Sequence, residues 1–128
     1  MKIDETSLTP IFVQVAQWLE EEILADRIRE EEQVPSTNQF AMLYKINPAT
    51  ARKGFSVLVE EGILYKKRGI GMFVAPGAKE KIRKRAKERF VNESLKSLLE
   101  EANRLGITKE EVIHMLNMME GSNDSSKM

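Results

Sequence analysis

The chain has 128 residues, of which 41% are hydrophobic and 31% are charged, with one histidine and no cysteine. This length suits one compact domain with an appendage rather than two full domains. Without cysteine there are no disulfides or thiolate metal sites, and neither a metal nor another cofactor is predicted. The chain also lacks a run of about 18 apolar residues and a signal-like N-terminus, so we expect a cytoplasmic protein without a membrane partner.

Charge is distributed unevenly along the sequence. The formal net charge is zero, but residues 1–32 carry −6, residues 33–90 carry +9 and residues 91–128 carry −3. A polyanion responds mainly to charge within a Debye length, ~8–10 Å. The basic middle segment is therefore the part expected to attract nucleic acid, although its run from Lys79 to Arg89 fits the solvated side of a helix equally well.

The first predicted helix begins at Thr9 and Pro10, an N-cap followed by the residue that suits the first helical position. Apolar residues then recur at helical spacing, and the helix is expected to end near Asp26. These apolar residues are Ile11, Val15, Trp18, Leu19 and Ile23. After a polar stretch, Gln33 and Val34 predict a short edge strand.

Two shorter helices follow, each with its own start signal. Ser36 and Gln39 fit a capping box, in which each side chain accepts a hydrogen bond from a backbone N–H. Asn47 and Pro48 repeat the combination of cap and proline and open a third helix, which Gly62 is expected to close in the left-handed conformation. Two capped helices separated by a short turn predict a helix-turn-helix.

Beyond Gly62 the sequence pattern changes from helix to strand. Residues 63–65 and 72–74 predict two short strands, joined by a basic loop with two glycines over residues 66–71. Residues 75–77, Ala-Pro-Gly, mark the expected domain boundary. The predicted fold class is mostly α with a small β-hairpin, divided into a helix-turn-helix domain (1–76), a two-helix region (77–120) and a flexible tail (121–128).

The C-terminal third predicts two amphipathic helices. One starts at Ala78 and runs for about 40 Å to Gly106, and the other follows a capping box from Thr108 to Glu111. Their apolar side chains would be exposed in a single chain, so we expect a second copy to bury them in a homodimer. The alternative is that they fold back on their own N-terminal domain. The predicted dimerisation residues are Ile82, Phe90, Leu95, Leu98, Leu99, Ala102, Leu105, Val112, Leu116 and Met119.

The start of the third helix carries the residues best suited to contact base edges. A helix-turn-helix places the N-terminal end of its second helix in the major groove of DNA. Small side chains at Ala49 and Ala51 would let the backbone come close to the bases, and Ala49 could touch a thymine methyl group. Arg52 can hold guanine through two hydrogen bonds, Thr50 can bond a phosphate or a base, and Lys53 is expected to contact phosphate.

Two further parts of this domain suit contact with DNA. The basic hairpin loop fits the sugar-phosphate backbone or the minor groove. The free N–H groups that open the second and third helices favour phosphate. The predicted DNA-binding residues are Ser36, Thr37, Asn38, Lys45, Asn47, Ala49, Thr50, Arg52, Lys53, Lys67, Arg68, Gly69, Ile70 and Gly71.

Residues 10–75 resemble the DNA-binding domain of the GntR family, a group of bacterial regulators with a winged helix-turn-helix. The resemblance rests on five segments in order: PIFVQV (10–15), VPS (34–36), NPATAR (47–52), EGIL (61–64) and RGIGMFV (68–74). The Asn-Pro segment and the short helical C-terminus are similar to the YtrA subfamily. The resemblance implies a transcription regulator, and for the subfamily a repressor of a transporter operon. It also raises a small-molecule effector, which nothing in the sequence identifies.

Three positions depart from the family pattern. Asn38 stands where the family usually has arginine, and Lys45 stands where a glycine is common in the turn. Ile70 replaces the basic or polar residue that the wing often carries between its glycines. These departures fall on predicted DNA contacts, so the operator sequence cannot be taken over from relatives.

Two other classes of function, an enzyme and a protein-binding module, fit the sequence less well. His114 lies among apolar residues of a predicted helix, and the acidic runs at 20–22 and 30–32 suit solvated faces, so no catalytic residue is predicted and the chain is not expected to be an enzyme. The alternative reading is a winged helix that binds another protein and has no specific DNA target, which the acidic first helix and the apolar Ile70 favour. The preferred prediction is a dimeric repressor that binds an inverted-repeat operator.

Overall fold

The computed structural model describes residues 1–126, the side chains of residues 122–126 excepted. Its elements are α1 (Ile11–Leu24), α2 (Thr37–Tyr44), α3 (Pro48–Glu60), β1 (Leu64–Lys67), β2 (Gly71–Val74), α4 (Ala78–Arg89), a π-helical segment (Phe90–Leu95), α5 (Lys96–Arg104) and α6 (Lys109–Ser126). This mostly helical chain with one antiparallel hairpin confirms the predicted fold class. None of the described helices has the length and apolar composition needed to cross a membrane. The chain divides into two compact units, Met1–Arg85 and Ala86–Met128.

The predicted caps of α2 and α3 are present. The Ser36 hydroxyl accepts from the Gln39 N–H at 3.1 Å, and the Gln39 side chain accepts from the Ser36 N–H at 3.2 Å. Asn47 Oδ1 accepts from the Ala49 N–H at 2.8 Å. Gly62, with φ +75°, has the left-handed conformation expected after α3. Local hydrogen bonding therefore sets the starts of both helices of the helix-turn-helix.

The start of α1 differs from the prediction. Pro10, rather than Thr9, is the N-cap, because its ψ of 148° is not helical and its carbonyl accepts from the N–H groups of Val13 and Gln14. The Thr9 carbonyl instead accepts a hydrogen bond of 2.9 Å from the Gln14 side chain. The Gln14 side chain thus fastens the segment before α1 without a side-chain cap.

The core of the first unit lies between α1, α2 and α3, and aromatic rings join the three helices. The Trp18 ring lies 5.3 Å from that of Phe40, which lies 5.5 Å from Phe55 and 4.7 Å from Tyr44. Gly54 allows α1 and α3 to approach closely, because a Cβ there would lie 2.7 Å from the Phe12 carbonyl oxygen. The packing of three helices around this core fixes the orientation of α3.

The hairpin is widened by a third stretch of chain. β1 and β2 pair antiparallel with Lys67 opposite Gly71, and residues 31–34 run along the other side of β2. The Glu31 N–H donates to the Val74 carbonyl at 2.8 Å, and the Val34 N–H donates to the Met72 carbonyl at 2.9 Å. The short edge strand predicted at residues 33–34 is thus present as an isolated bridge between Gln33 and Phe73.

The beginning of α4 belongs to the first unit. Ala78 and Ile82, one turn apart on the same face, are 0% and 2% exposed and pack into its core. The division between the units falls after Arg85, and not at the predicted boundary of residues 75–77. Ile82, predicted to be a dimerisation residue, is instead covered by the core of its own unit, which leaves little of its side chain for a partner.

The second unit contains the end of α4, the π-helical segment, α5 and α6. The sequence predicts one unbroken helix from Ala78, whereas residues 90–95 are wound as a π-helix. Gly106, with φ +73°, ends α5 as expected, and the Glu111 N–H donates to the Thr108 hydroxyl at 3.1 Å. The helix α6 continues through Ser126, where a flexible tail is predicted, because glycine and serine lower helix propensity without blocking the helical backbone. Residues 127–128 of that predicted tail lie outside the described residues.

Candidate nucleic-acid interface

The first two turns of α3 present a polar, basic surface. The side chains of Ala49, Arg52 and Lys53 are exposed, and that of Thr50 is half-buried. Arg52 forms no ion pair with any described residue, so its guanidinium is available to a ligand. The Lys53 ammonium lies 4.1 Å from the centroid of the Phe12 ring, which holds this side chain against α1.

The opposite face of α3 is part of the core and includes one residue predicted to face DNA. Ala51 is fully buried, as are Phe55 and Leu58. These residues share one helix face because they are four and three positions apart. Ala51 therefore allows α3 to pack on its own domain and does not let the helix approach bases, whereas Ala49 remains exposed.

The start of α2 and the turn after it lie next to α3 in the chain. Ser36 and Asn38 are exposed and Thr37 is half-buried. The first-turn N–H groups of an α-helix have no partner within the helix, apart from the one that the Ser36 cap satisfies. Lys45 adopts the left-handed conformation with φ 54°, so it takes the backbone role of the glycine common in the family and adds an exposed charge.

We use the term wing for β1, β2 and the loop between them, and wing tip for residues 68–70. A 2.9 Å hydrogen bond from the Ile70 N–H to the Lys67 carbonyl closes the loop. The Ile70 side chain is 63% exposed, and Arg68 and Gly69 are exposed beside it. The Lys67 ammonium lies 4.3 Å from the centroid of the Phe73 ring, along the face of the wing. The wing thus carries exposed basic groups, Lys67 and Arg68, close to the exposed apolar side chain of Ile70 at its tip.

Residues 31 and 33, which the sequence did not single out for function, support the wing. The Tyr65 hydroxyl donates to Glu31 Oε2 at 2.6 Å, and this hydrogen bond raises the pKa of Tyr65 above its ordinary value of 10.0. The Gln33 side chain donates to the Ile70 carbonyl at 3.1 Å. No motif marks either residue, because both contacts join positions far apart in the sequence.

Ion pairs account for several basic groups of α4. Lys79 lies 2.8 Å from Asp26, and its hydrogen bond lowers the pKa of that carboxyl group. Arg85 lies 2.7 Å from Glu61 and 3.2 Å from Glu20. Burial alone lowers the pKa of Arg85, but these acidic contacts outweigh it and the net pKa is raised. Part of the run from Lys79 to Arg89 thus neutralises acids of its own chain.

Basic groups that form no ion pair within residues 1–126 remain on the helix-turn-helix and the wing. They are Lys45, Arg52, Lys53, Lys66, Lys67 and Arg68. In the same part of the chain, no three histidine, aspartate or glutamate side chains are grouped so that they could hold a metal ion. The unpaired basic surface is suited to bind a polyanion.

The second unit has an apolar surface formed by α5 and α6. Ala102 is its only buried hydrophobic residue within the described part of the chain. A groove of about 240 Å³ is lined by six of the predicted dimerisation residues: Leu98, Ala102, Leu105, Val112, Leu116 and Met119. The other three in this unit, Phe90, Leu95 and Leu99, are exposed.

A helix-turn-helix followed by a β-hairpin wing, with an exposed arginine in the first turns of its second helix, is the arrangement of winged-helix DNA-binding regulators. Residues 12–74 match the family described as bacterial regulatory proteins, gntR family. The chain is 30% identical over 112 residues to the HTH-type transcriptional repressor YtrA of Bacillus subtilis (strain 168), a match that covers 88% of this chain and 85% of that protein. The chain belongs to the GntR family, which confirms the resemblance seen in the sequence.

Solved structures agree with this assignment. A GntR-family regulator from Bacteroides thetaiotaomicron is 32% identical, with a TM-score of 0.76, over 88% of this chain and 98% of the other. The DNA-binding domain of AraR in complex with operator ORE1 is 27% identical, with a TM-score of 0.52, over 58% of this chain and 90% of the other. The family consists of transcription regulators, so the prediction that the chain is not an enzyme is confirmed.

Proposed function

We propose that the chain is a dimeric bacterial repressor that works in the cytoplasm and binds an inverted-repeat operator. The observation that carries the proposal is the surface at the start of α3, where Arg52 is exposed and has no ion pair among the described residues. Its nearest basic neighbours in the chain are likewise unpaired, although the net charge is zero. Such a surface is suited to a ligand that combines phosphates with base edges.

In the proposed complex, α3 lies in the major groove as the recognition helix. Arg52 holds a guanine through two hydrogen bonds, and Ala49 contacts a thymine methyl group. Thr50, only half-buried, bonds a phosphate or a base. Asn47 uses its side-chain oxygen to cap α3, which leaves its amide nitrogen as the group able to donate to DNA. Lys53 contacts phosphate from its position over the Phe12 ring.

Phosphate and minor-groove contacts complete the proposed complex. The start of α2 offers N–H groups, with the side chains of residues 36–38, to a phosphate, and the positive end of the helix dipole supports the contact. Lys45 adds a charge from the turn. On the wing, Lys67 and Arg68 contact the backbone, and residues 69–71 follow the minor groove. Asn38 and Ile70 differ from the usual family residues, so the preferred operator is expected to differ as well.

The proposed dimer forms through the second unit. Its groove of about 240 Å³ is lined by apolar side chains, most of them exposed. Burial of one such side chain contributes ~1.5–3 kcal/mol, so several from each copy outweigh the cost of association. Glu101 is the single polar residue in the lining of this groove, which offers few groups to orient a small molecule and so favours a second chain over an effector as the occupant.

Repression follows from the geometry of a two-fold dimer. Two recognition helices related by two-fold symmetry would bind two inverted half-sites, one or more helical turns apart. A dimer bound at such a site near a promoter would exclude polymerase. The name of the YtrA repressor, together with the subfamily resemblance, supports a repressor and suggests a transporter operon as its target.

Selection from a random duplex library tests the proposal. We would incubate the purified chain with the library at ~0.15 M salt, where weak non-specific binding is suppressed. Enrichment of an inverted repeat is the expected result, and its spacing would give the distance between recognition helices. Folded protein that enriches no sequence would contradict the proposal and favour a winged helix that binds another protein.

A further inference from the structure

Gln33 touches the wing tip from outside the wing. Its side-chain Nε2 donates a hydrogen bond of 3.1 Å to the carbonyl of Ile70. Its backbone pairs with Phe73 of β2, so the side chain starts from a fixed position. This hydrogen bond joins a side chain outside the wing to the backbone of the wing tip, between residues 37 positions apart in the sequence.

Gly71 leaves the space that this contact occupies. A Cβ at Gly71 would lie 2.5 Å from the Gln33 Nε2 atom, and the φ of Gly71 is +148°. The backbone conformation favours glycine at this position, and a Cβ there would displace the Gln33 amide from its present place. The absence of a side chain at Gly71 thus leaves room for the Gln33 amide to reach the Ile70 carbonyl.

The segment that carries Gln33 also leads into α2. Val34 follows it and is buried, and Ser36, two residues further, caps α2. Gln33, whose side chain reaches the wing tip, is thus only three residues before Ser36 at the start of α2. A side chain anchored here is well placed to fix the wing tip relative to the helix-turn-helix.

We propose that Gln33 is a positioning residue, whose side-chain amide holds the Ile70 carbonyl and so sets the wing tip in the orientation that fits the minor groove. The DNA part of this inference rests on the proposed function. The positioning of the wing tip does not, and it can be measured on the free protein. Gln17, exposed on α1, provides a matched control for the same substitution.

Amide hydrogen exchange on the free protein tests the positioning. The Ile70 N–H, bonded to the Lys67 carbonyl, reports on the wing tip, and the Val34 N–H, bonded to the Met72 carbonyl, reports on the pairing of residues 31–34 with β2. In Gln33→Ala we expect exchange at Ile70 to rise roughly two- to twelvefold, the effect of one neutral hydrogen bond, with no change at Val34. Gln17→Ala should leave both rates unchanged. No rise at Ile70, or an equal rise at Val34, would overturn the proposal.

Selection from the random duplex library tests the consequence for DNA. Gln33→Ala should lose base preference at the pairs under the wing and keep it at the pairs under Arg52. A loss spread evenly over the site, or no loss, would overturn a positioning role, since a residue that only stabilises the fold affects all contacts alike. If the wild-type chain enriches nothing, the proposed function fails, and the exchange rates still decide whether Gln33 holds the wing tip.

Discussion

Gly54 provides a sensitive test of how closely α1 and α3 pack. In most helices the change of glycine to alanine stabilises the helix by about 1 kcal/mol. At Gly54 the new Cβ would lie 2.7 Å from the Phe12 carbonyl oxygen and 2.9 Å from Val15 Cγ1. A Cβ cannot rotate away, one neighbour is backbone, and Val15 is fully buried. The contact can be relieved only if the two helices move apart.

The cost of that movement should exceed the gain in helix propensity. Overpacking a close-packed core costs ~1–3 kcal/mol, and a backbone neighbour points to the upper part of this range. After subtraction of the propensity gain, Gly54→Ala should destabilise the first unit by roughly 2 kcal/mol. For a domain of this size the corresponding decrease in Tm is on the order of 8–16 °C.

Thermal and urea unfolding, followed by the fluorescence of the single tryptophan, Trp18, would measure the change. Trp18 lies 5.3 Å from Phe40 in the same core, so its signal reports on this unit. The control is Gly121→Ala in α6, where an added Cβ meets no atom within 4 Å and the first unit should keep its stability. A Gly54→Ala chain that is as stable as the wild type would refute the close approach of α1 and α3.

Four further predictions concern DNA binding, assembly and pH. Arg52→Ala should weaken operator binding by ~1–3 kcal/mol and relax preference at one base pair, measured by titration against single-base operator variants. Lys67→Ala should weaken all sequences alike and reduce the dependence of log affinity on log salt by about one, seen in binding at several salt concentrations. Leu116→Asp should cost the dimer ~1.5–3 kcal/mol per protomer and yield monomers in sedimentation velocity, while an unchanged dimer would exclude this groove as the interface. The hydrogen bond of Tyr65 to Glu31 raises the pKa of the phenol, so the stability that Tyr65→Phe removes should be present below pH 10.0 and vanish as the pH rises through the raised pKa, measured by urea unfolding at a series of pH values.

The parts of the fold that the sequence predicted are those set by local hydrogen bonds. The capping box at Ser36, the cap at Asn47 and the left-handed Gly62 each depend on residues within three or four positions. Such signals survive folding because the rest of the chain does not compete for the same groups. Thr9 shows the limit of the rule. Its carbonyl accepts a hydrogen bond from the Gln14 side chain, and Pro10 is the N-cap of α1.

Features that depend on distant contacts were not predictable from spacing alone. Ile82 has the spacing of an amphipathic helix, but the pattern does not tell which unit covers the apolar face. Lys79 pairs with Asp26, 53 positions away, and Arg85 pairs with Glu20, 65 positions away. A count of charges along the sequence does not identify such distant partners. The burial of Ala51 was predictable from the sequence, because its spacing of four residues from Phe55 places both on the core face of α3.

The sequence predicted where the candidate interface lies but not the tertiary contacts that shape it. Arg52 and Ala49 are exposed where the helix-turn-helix pattern put them. The hydrogen bond from Gln33 to the wing tip has no sequence signature. Its one local sign is Gly71, and a glycine at that position also suits a hairpin for other reasons. The fine shape of the wing comes from tertiary contacts.

The zero net charge of the chain, with part of the basic charge of α4 paired to acids of the same chain, bears on how the chain would search for its target. A molecule with zero net charge is drawn only weakly toward DNA from beyond a Debye length, ~8–10 Å. Attraction should be strongest when the unpaired basic side chains of α3 and the wing come within that range. Compared with a uniformly basic regulator of equal size, such a chain would bind less tightly to non-specific DNA. A larger fraction of its molecules would therefore be free to reach the operator.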